Sequence, residues 1–141
     1  MLYYRGTDTI NPMSDWGHAM FADNYDNAYT LRDYAWSFDG SLATPIEDLK
    51  DQITAAWNEY LSNGYFNGFT TEDNEYYLTL SADEVYDCFN PADIVDSAGA
   101  YDSVLVCWLC EAVLMPNDIY AITTNDGAVV FDENLINRME K

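Results

Sequence analysis

The stretch TPIEDLKDQITAAWNEYLSNG, residues 44–64, predicts the clearest helix of the chain. Thr44 is a preferred N-cap, Pro45 suits the first helical position, and Glu47 completes a capping box with Thr44. Gly64 marks the end of the helix. The apolar side chains recur at the spacing of one buried helix face, and they are Ile46, Leu49, Ile53, Trp57 and Tyr60 or Leu61. The sequence therefore places an amphipathic helix in the first half of the chain.

Short strands are predicted on both sides of this helix. Alternating or apolar runs indicate strands at residues 2–5, 18–22, 76–80, 119–123 and 128–131. The last two runs flank Asn125-Asp126-Gly127, which is a strong hairpin signal.

Further helices alternate with the strands. They are predicted at residues 24–35, 81–89, 103–114 and 133–139. Ser81 with Glu84 forms a second capping box, and Asp132 is a good N-cap for the last helix. The interleaving predicts a single compact α+β domain over residues 1–141, with small mixed or antiparallel sheets and flanking helices.

The composition is that of a folded and strongly acidic protein. Hydrophobic residues make up 49% of the chain and aromatic residues 16%, enough for a core without disulfides or metal. Five Lys and Arg stand against 25 Asp and Glu, which gives a net charge of −20. Such a charge repels nucleic acid and anionic membranes and favours a basic partner, typically a nucleic-acid-binding protein. The alternative is that the acidity serves only solubility.

The sequence predicts a cytoplasmic protein. It has no run of about 18 apolar residues that could span a membrane. Its first residues lack the basic and apolar regions of a signal peptide. The three cysteines, an odd number, fit a reducing compartment better than a disulfide framework.

Most groups with catalytic potential have a simpler structural interpretation. Cys107 and Cys110 fall inside an apolar helical run, and no second pair completes a zinc site, so we expect buried, unreactive thiols. His18 is the single histidine and lies on a predicted strand, which favours a hydrogen-bonded structural role over a catalytic base. The sequence has no metal-binding motif, phosphate-binding glycine loop or basic patch. This excludes nucleotide-triphosphate enzymes and direct nucleic-acid binding.

Two segments allow a functional alternative. Arg5 and Gly6 end the first strand, where an arginine beside a glycine can hold the phosphates or ribose of a dinucleotide. The residues alone favour an ordinary strand-end charge and a turn glycine. Asp102 precedes the helix that carries Trp108 and is a natural N-cap. A carboxylate at such a turn can also stabilise a developing cationic ribose centre.

Both segments belong to a wider pattern. The opening LYYRGT, residues 2–7, followed by GHAMFAD, residues 17–23, resembles ADP-ribosyltransferase-like domains. Those domains often begin with a strand bearing Tyr-Arg-Gly or His-Thr-Ser, followed by a Phe-Thr/Ala-Ser/Asp strand and a helix. Residues 89–102, Trp108 and residues 126–132 are similar to phage anti-CRISPR proteins of this fold, which ADP-ribosylate a Cas subunit. The pattern is faint over residues 39–80.

The resemblance implies an NAD-dependent mono-ADP-ribosyltransferase of phage type, which inhibits a host defence protein and uses NAD as a substrate. The positions matched to nucleotide contacts are Tyr4, Arg5, Gly6 and Thr7 on the first strand and Phe21 and Ala22 on the second. Asp102, six residues before Trp108, matches the catalytic carboxylate. The second strand lacks the family's Ser-Thr-Ser. No Glu-x-Glu or Gln-x-Glu stands near the C-terminal strand, where Asp132 and Glu133 are the acids.

The charge supports a different function. An acidic face can dock on the basic nucleic-acid-binding surface of a host protein, such as a Cas subunit, and block it by mimicry without chemistry. The sequence thus predicts either a transferase or an acidic nucleic-acid mimic. An acidic domain of general cellular function is the third alternative.

Overall fold

A computed structural model of the chain describes residues 1–14, 17–22, 32–89, 103–125 and 127–139. Its strands are β1 (Leu2–Thr7), β2 (Ala19–Phe21), β3 (Tyr34–Asp39), β4 (Thr44–Pro45), β5 (Ala121–Thr123), β6 (Ala128–Val130) and β7 (Ile136–Met139). Its helices are α1 (Lys50–Asn63), α2 (Thr71–Tyr77), α3 (Ala82–Phe89) and α4 (Ser103–Leu109). The predicted α+β fold with small antiparallel and mixed sheets is confirmed.

The strands form two sheets that meet at one backbone bridge. Sheet A is antiparallel in the order β1-β3-β7. Sheet B has the order β2-β6-β5-β4, in which only β4 and β5 are parallel. Tyr4 of β1 donates a 2.7 Å hydrogen bond to the carbonyl of Ala22, and the amide of Ala22 donates a 2.9 Å bond in return. This bridge holds β1 beside the end of β2.

Sheet B lies between sheet A and the helices, and its side chains alternate between the two. Ala128 and Val130 of β6 join an apolar cluster between the sheets. Val129, which stands between them, joins the cluster of the helices instead. Successive side chains of a strand point to opposite faces, so a strand covered on both faces is apolar throughout. This explains why all three residues of β6 are buried.

Aromatic side chains fill the core between the helices. Trp57 of α1 is fully buried, and its ring meets Trp108 of α4 edge-on, with 4.9 Å between the ring centroids. Its Nε1 donates a 2.9 Å hydrogen bond to the carbonyl of Leu80, so the buried N–H is satisfied. α4 continues as a π-helical turn at Cys110–Leu114, which confirms the helix predicted at residues 103–114. Over the described ranges, no helix has the length and apolar character needed to cross a membrane.

The helix predicted at residues 44–64 is confirmed in its apolar face and its end, but not in its start. Its buried side chains are Ile46, Leu49, Ile53, Trp57 and Tyr60. Gly64 closes α1 in the left-handed conformation, with φ 70°. The first two residues form β4 and pair with β5, and a 3₁₀ turn without a side-chain cap leads into α1. The predicted capping box of Thr44 and Glu47 is therefore wrong, because the sheet takes the backbone of Thr44.

The strand predicted at residues 76–80 is wrong, because these residues end α2 and form the turn after it. α2 begins with a capping box in which Thr70 and Asp73 exchange side-chain-to-backbone hydrogen bonds of 3.1 and 3.3 Å. The buried side chain of Asn74 accepts a 2.8 Å bond from the amide of Phe66 and so ties the preceding loop to the helix. These capping bonds outweigh the local alternation of residues 76–80.

Strands occupy parts of two predicted helices. Of the helix predicted at residues 24–35, residues 24–31 lie outside the described residues, whereas Tyr34 and Ala35 belong to β3. The final helix, predicted at residues 133–139, is a 3₁₀ turn capped by Asp132 and followed by β7. β3 pairs with β1 on one side and β7 on the other, and this pairing supplies backbone hydrogen bonds that a local pattern does not reveal.

The remaining predicted elements are confirmed with small shifts of their ends. β1 and β2 correspond to the strands predicted at residues 2–5 and 18–22. β5 and β6 form the predicted antiparallel hairpin. Ser81 and Glu84 form the second capping box, with both hydrogen bonds at 3.2 Å.

Candidate functional site

Arg5 of β1 lies on the inner face of sheet A. It stands opposite Trp36 in the register with β3, and Trp36 belongs to the apolar cluster between the sheets. The Nε of Arg5 donates a 2.7 Å hydrogen bond to the carbonyl of Pro12. Its Nη1 donates a 3.2 Å bond to the carbonyl of Met20 in β2. The guanidinium is thus fixed between β1 and the segment that enters sheet B.

Pro12 and Met20 belong to the two arms of one tight hairpin. At its tip the amide of Ser14 donates to the carbonyl of His18 at 2.8 Å, and the amide of Gly17 donates to the carbonyl of Ser14 at 3.0 Å. Gly17 has a φ of 83°, the left-handed conformation for which glycine is favoured in short hairpin loops. Pro12 precedes Ser14 by two residues and Met20 follows His18 by two, so the two carbonyls lie on either side of this hydrogen bond in the sequence. The guanidinium therefore joins both arms just inside the tip.

No acidic residue of the described ranges neutralises the charge of Arg5. The ion pair found there joins Arg32 to Asp8 at 2.8 Å, and both side chains are exposed. Burial lowers the pKa of the Arg5 guanidinium, and the charge of Arg32 lowers it further, although an arginine in a protein stays protonated. Arg5 is thus a half-buried cation with no carboxylate partner among the described residues. Its remaining N–H groups suit an anionic ligand.

Thr7 is held inside the protein. Its Oγ1 donates a 2.7 Å hydrogen bond to the carbonyl of Thr9 and accepts a 2.7 Å bond from Nε1 of Trp36. The hydroxyl proton is already used, so in this conformation Thr7 positions Trp36 beside Arg5 and does not donate to a nucleotide.

Three further predicted nucleotide contacts lie next to Arg5. Tyr4 and Ala22 form the bridge that joins β1 to the end of β2. Gly6 stands opposite Ala35 in β3. The two motifs that carry the family resemblance are therefore adjacent in space.

Phe21 does not line an open pocket in this conformation. Its side chain is 1% exposed, and its ring packs 5.9 Å from the ring of Phe38 in the cluster between the sheets. On the other side, Gly127 lies so close to β2 that a Cβ at this position would overlap the carbonyl oxygen of Phe21. Phe21 thus supports β2 from inside, and only glycine fits at position 127.

Asp102, the predicted catalytic carboxylate, lies outside the described residues. α4 begins one residue later and carries Trp108 into the core between the helices. The structure therefore describes the predicted nucleotide contacts and the helix that follows Asp102.

His18 is buried, but one of its ring nitrogens has no hydrogen-bond partner. The residue is 3% exposed, and its Nδ1 is buried and unpaired, as is the Oγ of Ser14 across the hairpin. Burial lowers the pKa of His18, and the charge of Arg5 lowers it further, so the ring is neutral at pH 7. The buried position fits the predicted structural role, whereas the predicted hydrogen bond is missing at Nδ1.

Ser14 is a residue that the sequence analysis missed. The signal for it is the run Ser-Asp-Trp-Gly-His, residues 14–18, in which a glycine stands one residue before the end of a short loop. A three-residue hairpin loop has glycine in this position and pairs the residues on either side of the loop. The run therefore indicates that the backbones of Ser14 and His18 lie close together, as their 2.8 Å hydrogen bond shows.

Cys107 and Cys110 are half-buried rather than buried. Burial raises the pKa of both thiols, and the carboxylate of Glu111 contributes to each shift. For Cys110, burial together with the neighbouring Cys107 and Glu111 raises the pKa to about 11. Both thiols are protonated at neutral pH, which supports the prediction that they are unreactive.

Negative charge dominates the helices. From residue 51 to residue 137 the sequence contains 16 acidic residues and no Lys, Arg or His. Lys50, at the start of α1, places its ammonium group 5.0 Å from the centre of the Tyr86 ring. The exposed acidic side chains of the helices and the π-turn are Asp51, Glu59, Glu72, Glu75, Asp83, Glu84, Asp87 and Glu111. We call this set the acidic helical face.

Comparison with known proteins finds no family model, curated protein or solved structure that matches this chain.

Proposed function

We propose that this chain is an NAD-dependent mono-ADP-ribosyltransferase of phage type, which modifies and inhibits a host defence protein such as a Cas subunit. The position of Arg5 is the observation that supports it. The guanidinium is half-buried, touches no carboxylate of the described ranges, and lies where the two family-like strands meet. An arginine with unused N–H groups is well suited to hold the diphosphate of a dinucleotide.

In the proposed reaction NAD is a substrate. The nicotinamide–ribose bond breaks, and nicotinamide leaves with the bonding electron pair. A nucleophilic side chain of the target protein bonds to the same ribose carbon and releases its proton. Asp102 is the proposed carboxylate that stabilises the positive charge developing on the ribose. Arg5 holds the diphosphate and so limits the motion of the ribose during transfer.

Label transfer from NAD tests this proposal. The purified protein is mixed with adenylate-labelled NAD and a lysate of host cells, at a protein concentration far below that of the target. We expect labelled target protein, and a rate reduced about 10²–10³-fold by Asp102→Asn, because an electrostatic contact to the transition state is lost. Absence of transfer by the wild-type protein contradicts the proposal, as does an unchanged rate with Asp102→Asn.

Arg5 is tested separately through the affinity for NAD. Arg5→Gln should raise KM for NAD by roughly tenfold or more, because a hydrogen bond to a charged phosphate is lost. Arg138→Gln is the matched control. Arg138 is exposed and belongs to β7, at the edge of sheet A opposite to β1. Its guanidinium lies 5.2 Å from the centre of the Tyr34 ring. Equal effects of the two variants would argue against a role for Arg5 in binding.

The acidic helical face favours a second function, a non-catalytic nucleic-acid mimic. Exposed carboxylates without intervening basic residues complement the phosphate-binding groove of a nucleic-acid-binding protein. Such a mimic inhibits at a one-to-one ratio, requires no NAD, and binds more weakly as salt rises. These properties distinguish it from a transferase, which acts at low ratio and requires NAD.

Neutralisation of the acidic face tests the mimic. The triple variant Glu72→Gln, Glu75→Gln and Asp83→Asn should weaken inhibition of the target at low salt. Neutralisation of Asp8, Asp33 and Glu133, which are exposed outside the helices, removes the same charge and is the control. Equal loss in both variants would show that net charge alone acts, and would contradict docking through the acidic helical face.

A further inference from the structure

Two Asn-Gly steps stand four residues apart in the chain, and the fold holds them differently. They are Asn63-Gly64 and Asn67-Gly68, and an aromatic residue follows each. The side-chain amide of an asparagine before glycine is open to attack by the next backbone nitrogen, because glycine has no Cβ to hinder the approach. The two steps share this local chemistry, so a difference in their reactivity has to come from the fold.

The Asn63-Gly64 step is held by α1. Asn63 is the last residue of the helix, and the amide of Gly64 donates a 2.9 Å hydrogen bond to the carbonyl of Tyr60. The nitrogen that would attack the asparagine is therefore already bonded. Attack at Asn63 requires the last turn of α1 to open first.

The Asn67-Gly68 step forms the corner of a tight turn. The amide of Phe69 donates a 3.0 Å hydrogen bond to the carbonyl of Phe66, which leaves Asn67 and Gly68 as the two central residues. Both central residues are exposed. Among the described residues, neither the amide of Gly68 nor the side chain of Asn67 has a hydrogen-bond partner. The attacking nitrogen and the group that it attacks are thus both free.

Packing keeps glycine at position 68. A Cβ at this position would lie 2.7 Å from the ring of Phe66, and that ring packs 5.0 Å from the ring of Phe69. The turn is also fixed on both sides. The amide of Phe66 donates a 2.8 Å bond to the side chain of Asn74, and Phe69 is 5% exposed within the core. The fold therefore requires the Asn-Gly step and presents it at the surface.

We propose that Asn67 is a site of spontaneous deamidation in the folded protein and that Asn63 is protected. Hydroxide removes the proton of the Gly68 nitrogen, which then bonds to Cγ of Asn67. The bond from Cγ to the side-chain nitrogen breaks, and this nitrogen takes a proton from water and leaves as ammonia. Water next opens the succinimide ring. Cleavage of the bond between the Gly68 nitrogen and Cγ gives aspartate, and cleavage at the backbone carbonyl carbon gives isoaspartate.

Either product adds a carboxylate next to the acidic helical face. Glu111 of this face has a carboxylate oxygen 3.7 Å from the position that a Cβ on Gly68 would take. Isoaspartate also lengthens the backbone of the turn by one methylene, which weakens the hydrogen bond between Phe69 and Phe66. The charge and the shape of this surface thus change as the molecule ages. This inference rests on neither the transferase nor the mimic.

Incubation of the full-length protein in ¹⁸O-labelled water tests the proposal. Opening of the succinimide places one oxygen of water in the new carboxylate, and mass spectrometry locates the label. No Lys or Arg lies at residues 51–137, so the protein is digested with chymotrypsin, which separates the two asparagines by cleavage after Tyr65. At mildly alkaline pH, Asn67 should be labelled at least about fivefold faster than Asn63, because the amide of Gly64 first has to break its hydrogen bond. Equal rates, or no label at Asn67, overturn the proposal.

The urea-unfolded chain is the control for local chemistry. Without α1 and the turn, the two Asn-Gly steps have similar neighbours, so their labelling rates should agree within about twofold. A preference for Asn67 that is larger in the folded protein than in urea supports selection by the fold. A preference of the same size in both states overturns it.

Asn67→Gln provides an independent readout. Glutamine keeps a neutral amide but has to close a larger ring, so the more acidic species that accumulates in the wild type should be absent on anion-exchange chromatography. Asn63→Gln is the matched control and should accumulate this species as the wild type does. Both side chains are exposed, so neither variant should change the melting temperature. Loss of the acidic species in Asn63→Gln, with its persistence in Asn67→Gln, contradicts the assignment.

Discussion

Gly127 allows β2 and β6 to lie side by side, and alanine at this position should push them apart. Its Cβ would overlap the carbonyl oxygen of Phe21, which belongs to the backbone and cannot rotate away. The φ of Gly127, 155°, is itself a conformation that other residues rarely adopt. β2 pairs with β6 through three residues on each strand, so a displacement at Phe21 disturbs the whole ladder.

We expect Gly127→Ala to lower the free energy of unfolding by about 3 kcal/mol. The unfavourable backbone conformation contributes about 1–2 kcal/mol. The overlap adds about 2 kcal/mol, as in an overpacked core. Alanine also restricts the unfolded chain, which offsets about 0.5 kcal/mol of this loss of stability. At about 3 °C for each kcal/mol in a domain of this size, the melting temperature should fall by about 10 °C.

Gly64→Ala is the matched control. Gly64 also has a positive φ, 70°, but a Cβ at this position would meet no atom within 4 Å. Backbone strain alone should cost about 1 kcal/mol. Urea unfolding followed by tryptophan fluorescence measures both variants. If their losses agree within about 0.5 kcal/mol, the close approach of β2 and β6 is refuted.

Three further changes test other parts of the fold. Asp118→Gly should raise the free energy of unfolding by about 0.5 kcal/mol in urea titrations. Asp118 ends a helical turn with a φ of 56°, a left-handed conformation that glycine adopts more easily. A lower stability of the variant would contradict this. Trp57→Phe should lower the free energy of unfolding by about 2 kcal/mol, because the carbonyl of Leu80 loses its buried donor and a cavity remains. A loss no larger than that of an exposed aromatic substitution would refute the packing described. The pKa of His18 is lowered in the folded state, so its contribution to stability is complete above pH 6.5 and is lost as the pH falls below that value. His18→Gln should therefore remove part of the decline in unfolding free energy that occurs as the pH falls below 6.5. An unchanged decline would contradict this.

The sequence predicts those elements whose signals are local. The buried face of α1 follows from helical periodicity, and the second capping box follows from two residues three positions apart. The predicted start of this helix at Thr44 is wrong, because Thr44 pairs with Ile122, which lies far along the chain. The strand β3 is missed for the same reason, since both of its neighbours are distant in sequence. Pairing between distant segments overrides local propensity in each case.

The candidate site is predictable in its arginine but not in its surroundings. Arg5 stands out from its neighbours in the sequence, but the motif does not reveal that Thr7 is bonded to Trp36 or that Phe21 points into the core. Side-chain direction depends on how the two sheets face each other, which a short motif does not encode. The unpaired Oγ of Ser14 depends on packing in the same way.

The three residues of β6 lie between the two apolar clusters, one among the helices and one between the sheets. Val129 contributes to the helical half and Val130 to the half between the sheets. Substitutions among the helices can thus accumulate against one side of this strand while the other side keeps Arg5 and its hairpin in register. Such an architecture lets the outer surface of the helices change while the packing between the two sheets is kept.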